Sequence, residues 1–141
     1  MNDSMQKQLD LYGQLIIHPK GRSMLPFLRE KRDAVMIVAP QRQIRKYDIA
    51  LYQRDGVYIL HRVIKANADR LVICGDNSCV SDIVERKDVI GIVSEIIQNS
   101  KSIQADRWYL RVCLGIWYGL GMKKAVFLCK KCLRRCKRIE K

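Results

Sequence analysis

The chain has 141 residues, of which 48% are hydrophobic, so it can form one domain with a real core and does not have the composition of a disordered chain. Its net charge of +13 is unevenly distributed, because residues 106–141 contain eleven Lys/Arg and two acids, whereas residues 1–105 contain sixteen and twelve. The sequence therefore predicts an ordinary domain followed by a basic tail.

The N-terminal residues do not resemble a signal peptide. Residues 1–14 are polar and contain Asp3, Lys7 and Asp10 where a signal peptide has an apolar segment. The longest uncharged apolar run, residues 112–122, is shorter than the ~20 residues that cross a bilayer. We therefore expect a cytoplasmic protein, peripheral at the inner face of the membrane, whose six cysteines are reduced.

The predicted elements begin with a short helix within residues 1–15, which Asp3 or Ser4 can cap. Residues 16–105 are expected to form a mainly β domain. Its short apolar runs are separated by turn signals and predict strands at residues 14–18, 34–38, 48–52, 57–64, 71–74 and 89–97. This pattern favours a folded β-sheet or partly open barrel. Residues 53–56 predict a hairpin turn within it.

The tail, residues 106–141, has from Met122 onward apolar side chains at helical spacing and Lys or Arg at most other positions, which predicts a basic amphipathic C-terminal helix. Its apolar positions are Met122, Val126, Cys129, Leu133 and Cys136. Aromatic pairs upstream, Trp108-Tyr109 and Trp117-Tyr118, suit a bilayer interface. Contact of residues 108–141 with an anionic membrane is therefore favoured over a solvated helix packed on the domain, and over nucleic acid, for which no DNA-reading motif is present.

Cysteines in the tail could also suggest a metal or iron–sulfur site. Cys129, Cys132 and Cys136 supply only three ligands, and all three lie on the apolar face of the predicted helix. Buried or lipid-facing thiols explain them better, with reversible acylation as an alternative. We therefore expect no metal and no cofactor.

Three short motifs contain the residue types of a serine hydrolase. They are Gly21-Arg22-Ser23-Met24-Leu25-Pro26, then Leu60-His61-Arg62-Val63-Ile64, then Gly75-Asp76-Asn77 followed by Asp82. A nucleophile, a general base and an orienting carboxylate are the groups that this chemistry needs. Each motif alone has a simpler explanation: a turn serine, a core histidine, and a turn or helix-capping aspartate.

At these motifs, over roughly residues 19–95, the chain resembles the signal peptidase I superfamily, which also includes LexA-like self-cleaving proteins. The usual bacterial enzymes place a lysine before Arg-Val-Ile, and here that position is His61. The chain is therefore most similar to the endoplasmic-reticulum and archaeal branch, which uses a Ser-His pair. The resemblance implies the fold of that superfamily, with Ser23 as nucleophile, His61 as base, Asp82 as third member of the triad and Asp76 as a supporting carboxylate.

The sequence departs from this branch at several positions. No membrane anchor precedes the serine motif, Gly21 stands where relatives often have a serine that helps to form the oxyanion hole, and Ser78 and Ser81 replace an asparagine and an acid of the aspartate motif. Without an anchor, the expected substrate is a peptide or precursor protein, such as the leader of a modified peptide, rather than a translocated preprotein.

The predicted function is thus a serine endopeptidase that forms an acyl-enzyme. The alternative is a catalytically weak module that binds or regulates at the membrane surface. A LexA-like regulator is less favoured, since no helix-turn-helix precedes the serine motif and no lysine occupies the base position.

Overall fold

The computed structural model describes residues 4–126 and residue 128. The chain divides into two compact units, Met1–Arg107 and Trp108–Lys141.

The first unit is mainly β, as predicted, and a short helix precedes its strands. Its elements, in chain order, are α1 (Ser4–Tyr12), β1 (Gln14–Ile17), β2 (Asp33–Val38), β3 (Ile49–Arg54), β4 (Val57–Ala66), β5 (Arg70–Cys74), β6 (Ser81–Glu85), β7 (Val89–Gln98) and β8 (Lys101–Gln104). All pairings are antiparallel, in the order β1-β2-β7-β3-β4-β5-β6, with β8 paired to β7. The sheet is not closed, and β1 and β6 lie at its two ends.

Alternation along the central strands divides the core between the two faces of the sheet. In β3, Ile49 and Leu51 pack in one cluster with Met24 and Leu28, which belong to the loop that contains Ser23 (residues 21–28, the serine loop). Ala50 and Tyr52 belong to a second cluster, with Val63, Leu71 and Ile73 among its members. Successive side chains of a strand point to opposite faces, so the buried run of β3 supplies both clusters.

The turn between β3 and β4 sets the register of the residues around the predicted base. Asp55 and Gly56 have φ values of 50° and 77°, as a two-residue hairpin turn requires. The resulting pairing puts Ala50 opposite His61. Tyr52, two residues further along β3, therefore lies on the same face as His61 and diagonal to it.

The second unit begins with the helix α2 (Trp108–Gly119), and residues 122–126 are also helical. The remainder of the predicted amphipathic helix, including Leu133 and the cysteines at 129, 132 and 136, lies outside the described residues. Within the part of the chain that is described, helices are too short or too polar to cross a membrane.

Candidate active site

Ser23 lies in a loop of consecutive turns, residues 21–28, between β1 and β2. The loop is anchored in the core by Met24 and Leu28, which are buried, and the Leu28 amide donates to the Met24 carbonyl at 2.9 Å. Ser23 itself is half-buried. Ser23 is therefore held by a loop that is anchored in the core, and it remains partly accessible to solvent.

The Gly75-Asp76-Asn77 turn holds this loop from the other side. The Asn77 amide donates to the Ser23 carbonyl at 2.7 Å, and Asn77 Nδ2 donates to the Arg22 carbonyl at 3.1 Å. These two hydrogen bonds connect the third motif to the first. The sequence gives no direct sign of them, because more than fifty residues separate the partners.

Gly75 marks the place where the serine and the histidine converge. A methyl group at Gly75 would lie 3.1 Å from Ser23 Cβ and 3.3 Å from His61 Nε2, and only 2.7 Å from the Ser23 carbonyl oxygen. Both side chains therefore border the space above this glycine. The imidazole nitrogen on this side is Nε2, the one that a serine hydroxyl would need as its proton acceptor.

The other imidazole nitrogen of His61 faces a tyrosine. Tyr52 Oη lies 3.5 Å from His61 Nδ1 and donates its proton to Asp82 Oδ2 at 2.9 Å. Arg54 donates to the second oxygen of the same carboxylate. In this structure, hydrogen bonds thus link Asp82, the predicted third member of the triad, to His61 by way of Tyr52.

The surroundings of Asp82 and Tyr52 determine which of the two side chains is ionised at neutral pH. Burial raises the pKa of Asp82, but the hydrogen bonds from Tyr52 and Arg54 outweigh it and hold that pKa below the ordinary value. Burial, together with the neighbouring Asp82, raises the pKa of Tyr52 well above the ordinary value. At neutral pH the pair is therefore a carboxylate and a neutral phenol.

Asp76, the predicted supporting carboxylate, pairs with Arg62, the residue after the predicted base His61. Its two oxygens accept from Arg62 Nε at 2.8 Å and Nη2 at 2.7 Å, and both side chains are buried. Arg62 Nη1 also donates to the Tyr47 carbonyl at 3.0 Å, and the guanidinium lies over the Phe27 ring. These contacts give Asp76 a structural role, since they join β4, the aspartate turn and the serine loop.

A cleft of about 510 Å³ opens beside Ser23 and His61. Its wall is largely apolar, with residues from α1, the segment after β1, β3 and β4. Among its members are Ile17, His18, Met24, Leu51, Tyr58 and Leu60. A cleft with this lining can accommodate an apolar group of a ligand next to Ser23.

Among the described residues, no three His, Cys, Asp or Glu side chains are grouped as a metal site would require. A scan of the known protein families finds no family model that matches the chain, and a search of the curated proteins finds no significant match. The resemblance to the signal peptidase superfamily therefore rests on the three motifs.

Proposed function

We propose that the chain is a serine endopeptidase of the signal-peptidase-like type. The observation that carries the proposal is the convergence of Ser23 Cβ and His61 Nε2 above Gly75. A serine hydroxyl is a poor nucleophile at neutral pH and needs an adjacent base. A histidine nitrogen on the serine side of the ring provides that base.

In the proposed mechanism, His61 Nε2 accepts the hydroxyl proton as Ser23 Oγ attacks the carbonyl carbon of the substrate. The tetrahedral intermediate collapses when Nε2 returns the proton to the leaving amine, and an acyl-enzyme remains. Water then enters and gives a proton to Nε2 as its oxygen attacks the acyl carbon. Nε2 returns that proton to Ser23 Oγ as the ester bond breaks, which releases the acid and regenerates the Ser23 hydroxyl. The Ser23 backbone N–H is the candidate oxyanion donor, a role that typically contributes about 10²–10³ in rate.

The proposed substrate is a peptide or precursor protein that enters the apolar cleft as an extended segment. Short leader peptides are the first substrates to test. Cleavage that occurs in wild type and is lost in Ser23→Ala supports this choice, whereas processing of exported preproteins alone contradicts it.

The first experiment is labelling with a serine-reactive acylating probe between pH 5 and 9, comparing wild type, Ser23→Ala and His61→Ala. Labelling should need both residues and rise through a pKa near that of histidine, about 6.5. Trypsin releases residues 23–29, Ser-Met-Leu-Pro-Phe-Leu-Arg, in which Ser23 is the only hydroxyl. Mass spectrometry of that peptide thus locates the acyl group.

Ser102→Ala, a change on β8, is the matched control and should label at the wild-type rate. Folding of each variant is checked by circular dichroism. A folded wild type that is never labelled, or a Ser23→Ala variant that labels normally, would contradict the proposed function.

A second role, contact with an anionic membrane surface, is favoured by one face of α2. Its exposed side chains are apolar and recur at helical spacing: Tyr109, Val112, Cys113, Ile116 and, just beyond the helix, Leu120. Lys123 and Lys124 follow, and the sequence beyond them adds further Lys and Arg. We propose that this face enters the headgroup region while the lysines attract anionic lipid.

Vesicle co-sedimentation tests the membrane role. The full chain should bind phosphatidylcholine vesicles that contain phosphatidylserine, and binding should weaken as salt is raised. Val112→Glu with Ile116→Glu should abolish it, whereas Val57→Glu, at a more exposed position on the β3–β4 hairpin, should not. Salt-sensitive binding to duplex DNA, with none to vesicles, would contradict this role.

A further inference from the structure

Tyr52 is a fully buried residue whose hydroxyl lies between the base and the carboxylate of the candidate site. We propose that Tyr52 is a positioning residue through which Asp82 acts on His61, an inference that rests on the proposed peptidase function. The site would then be a serine, a histidine and a phenol–carboxylate pair, rather than a triad in which the aspartate binds the imidazole directly.

The strand register places the side chains of Tyr52, His61 and Asp82 on one face of the sheet. Tyr52 lies diagonal to His61 across the β3–β4 pair. Asp82 pairs with Ile73 across the β5–β6 pair, and Ile73 in turn pairs with Val63, the second residue after His61. Residues opposite each other across a sheet share a face, as do residues two apart along a strand. The arrangement is therefore built into the strand pairing.

Because the Tyr52 hydroxyl has a single proton, the donors and acceptors between Asp82 and His61 can be assigned in one way. The Tyr52 hydroxyl donates its single proton to Asp82, so its oxygen is left to accept from His61 Nδ1–H. A proton on Nδ1 leaves Nε2 of the neutral imidazole free of hydrogen and able to accept from Ser23. Tyr52 therefore selects the tautomer that the mechanism needs, without losing its own proton.

The carboxylate of Asp82 also polarises the Tyr52 hydroxyl that faces the imidazole. When His61 becomes protonated during the reaction, a phenol polarised by a carboxylate is a better acceptor for its Nδ1–H than an isolated phenol is. The charged and titratable groups that face this path are Tyr52 and Arg54 of β3, Cys74 at the end of β5 and Asp82 of β6. Of these, Asp82 is the anion.

The first test uses Tyr52→Phe, which keeps the ring and removes the hydroxyl. The rate of probe labelling and kcat/KM should fall by roughly 10²-fold, within the range that general acid–base catalysis contributes. Tyr12→Phe, which removes an exposed hydroxyl from α1, is the matched control and should be unaffected.

A double-mutant cycle separates this route from direct contact between Asp82 and His61. If Asp82 acts through Tyr52, then Asp82→Asn should lower the rate in the wild-type background and have no further effect in Tyr52→Phe. A further loss in the double variant, equal to the loss in the single one, would show that Asp82 reaches His61 directly and would overturn the proposal.

A readout that is independent of catalysis is the NMR titration of His61. The chain has only two histidines, so a His18→Gln background leaves one imidazole signal to follow. The pKa of His61 should fall in Tyr52→Phe, because the imidazolium loses its acceptor, and should stay unchanged in Tyr12→Phe. Unchanged titration and kinetics in Tyr52→Phe would overturn the proposal. If wild type is never labelled but the pKa still falls, the peptidase proposal fails while the link between Tyr52 and His61 stands.

Discussion

At the scale of single residues, Gly75 is required by what surrounds it. Any side chain there would lie 2.7 Å from the Ser23 carbonyl oxygen, which is backbone and cannot simply rotate away. We expect Gly75→Ala to push Ser23 and His61 apart, so that probe labelling at Ser23 falls by at least about tenfold while the protein stays folded. Labelling kinetics together with a thermal melt check this outcome. A folded Gly75→Ala protein that labels at the wild-type rate would contradict it.

Asp33 anchors the end of the serine loop and should make stability depend on pH. Its buried carboxylate accepts from the Arg29 amide at 2.8 Å, from Arg32 Nε at 2.7 Å and from Gln98 Nε2 at 3.1 Å. Burial raises the pKa of Asp33, but the hydrogen bonds, led by the one from Arg32, bring it below the ordinary value.

A carboxyl group whose pKa is lower in the folded state stabilises the fold above its unfolded pKa, and the contribution is lost as pH falls through the folded pKa. Asp33→Asn should therefore lower the free energy of unfolding by about 1–3 kcal/mol at pH 7, and by less at a pH of about 3, which is below the ordinary pKa of an aspartate, about 3.9. Urea unfolding at the two pH values measures this. Asp55→Asn, at an exposed turn, should have little effect at either pH; an Asp33→Asn loss that is equal at both pH values would contradict the assignment.

At the scale of elements, every strand that the sequence predicted is present, but β6 and β8 were not foreseen. In β6 the burial alternates, but the inward positions are Asp82 and Val84 while Ile83 is 70% exposed, so the sequence lacks the apolar–polar alternation of a half-buried strand. Both strands lie beside only one neighbour and are largely polar, as edge strands often are. Helix α2 was also not predicted, because the helix expected in the tail began at Met122 and the residues before it were considered only as aromatic side chains that suit a bilayer interface.

The candidate site likewise contains residues that the sequence predicted and one that it did not. Ser23, His61, Asp76 and Asp82 could be selected from the sequence, since each lies in a short motif. Tyr52 lies in no motif, and only the register of the β3–β4 hairpin shows that it faces His61. The sequence predicted a turn over residues 53–56, which is compatible with more than one pairing of β3 with β4. The structure has a two-residue turn at Asp55-Gly56, and this turn determines the pairing.

Gly91 shows how tightly β7 is packed between its neighbours β2 and β3. A methyl group there would lie 2.5 Å from Ile37 Cγ2, 3.0 Å from the Val38 carbonyl oxygen and 3.3 Å from Leu9 Cδ2. Gly91→Ala should therefore destabilise the fold by about 1–3 kcal/mol through overpacking, measured by urea unfolding. Gly115→Ala is the matched control, because its methyl group meets no atom of the described residues within 4 Å. Equal stability of the two variants would show that β7 can move to accommodate the added group.

At the scale of the whole molecule, the candidate active-site residues and most of the net positive charge lie in different units. Every residue of the candidate active site lies within Met1–Arg107, whereas residues 106–141 carry +9 of the total charge of +13. The exposed apolar face of α2 lies in the second unit as well. The proposed peptidase activity and the proposed membrane contact should therefore be separable by removing the second unit.

A chain ending at Arg107 should label at Ser23 with the wild-type dependence on pH, because the serine loop, the aspartate turn and strands β3 to β6 are intact. It should no longer sediment with vesicles that contain phosphatidylserine, since each basic residue lost near such a surface removes about 1 kcal/mol of attraction. Circular dichroism establishes that the shortened chain folds. Vesicle binding that survives the truncation would move the membrane contact to the β domain, whereas a folded but unlabelled product would mean that the second unit takes part in forming the active site.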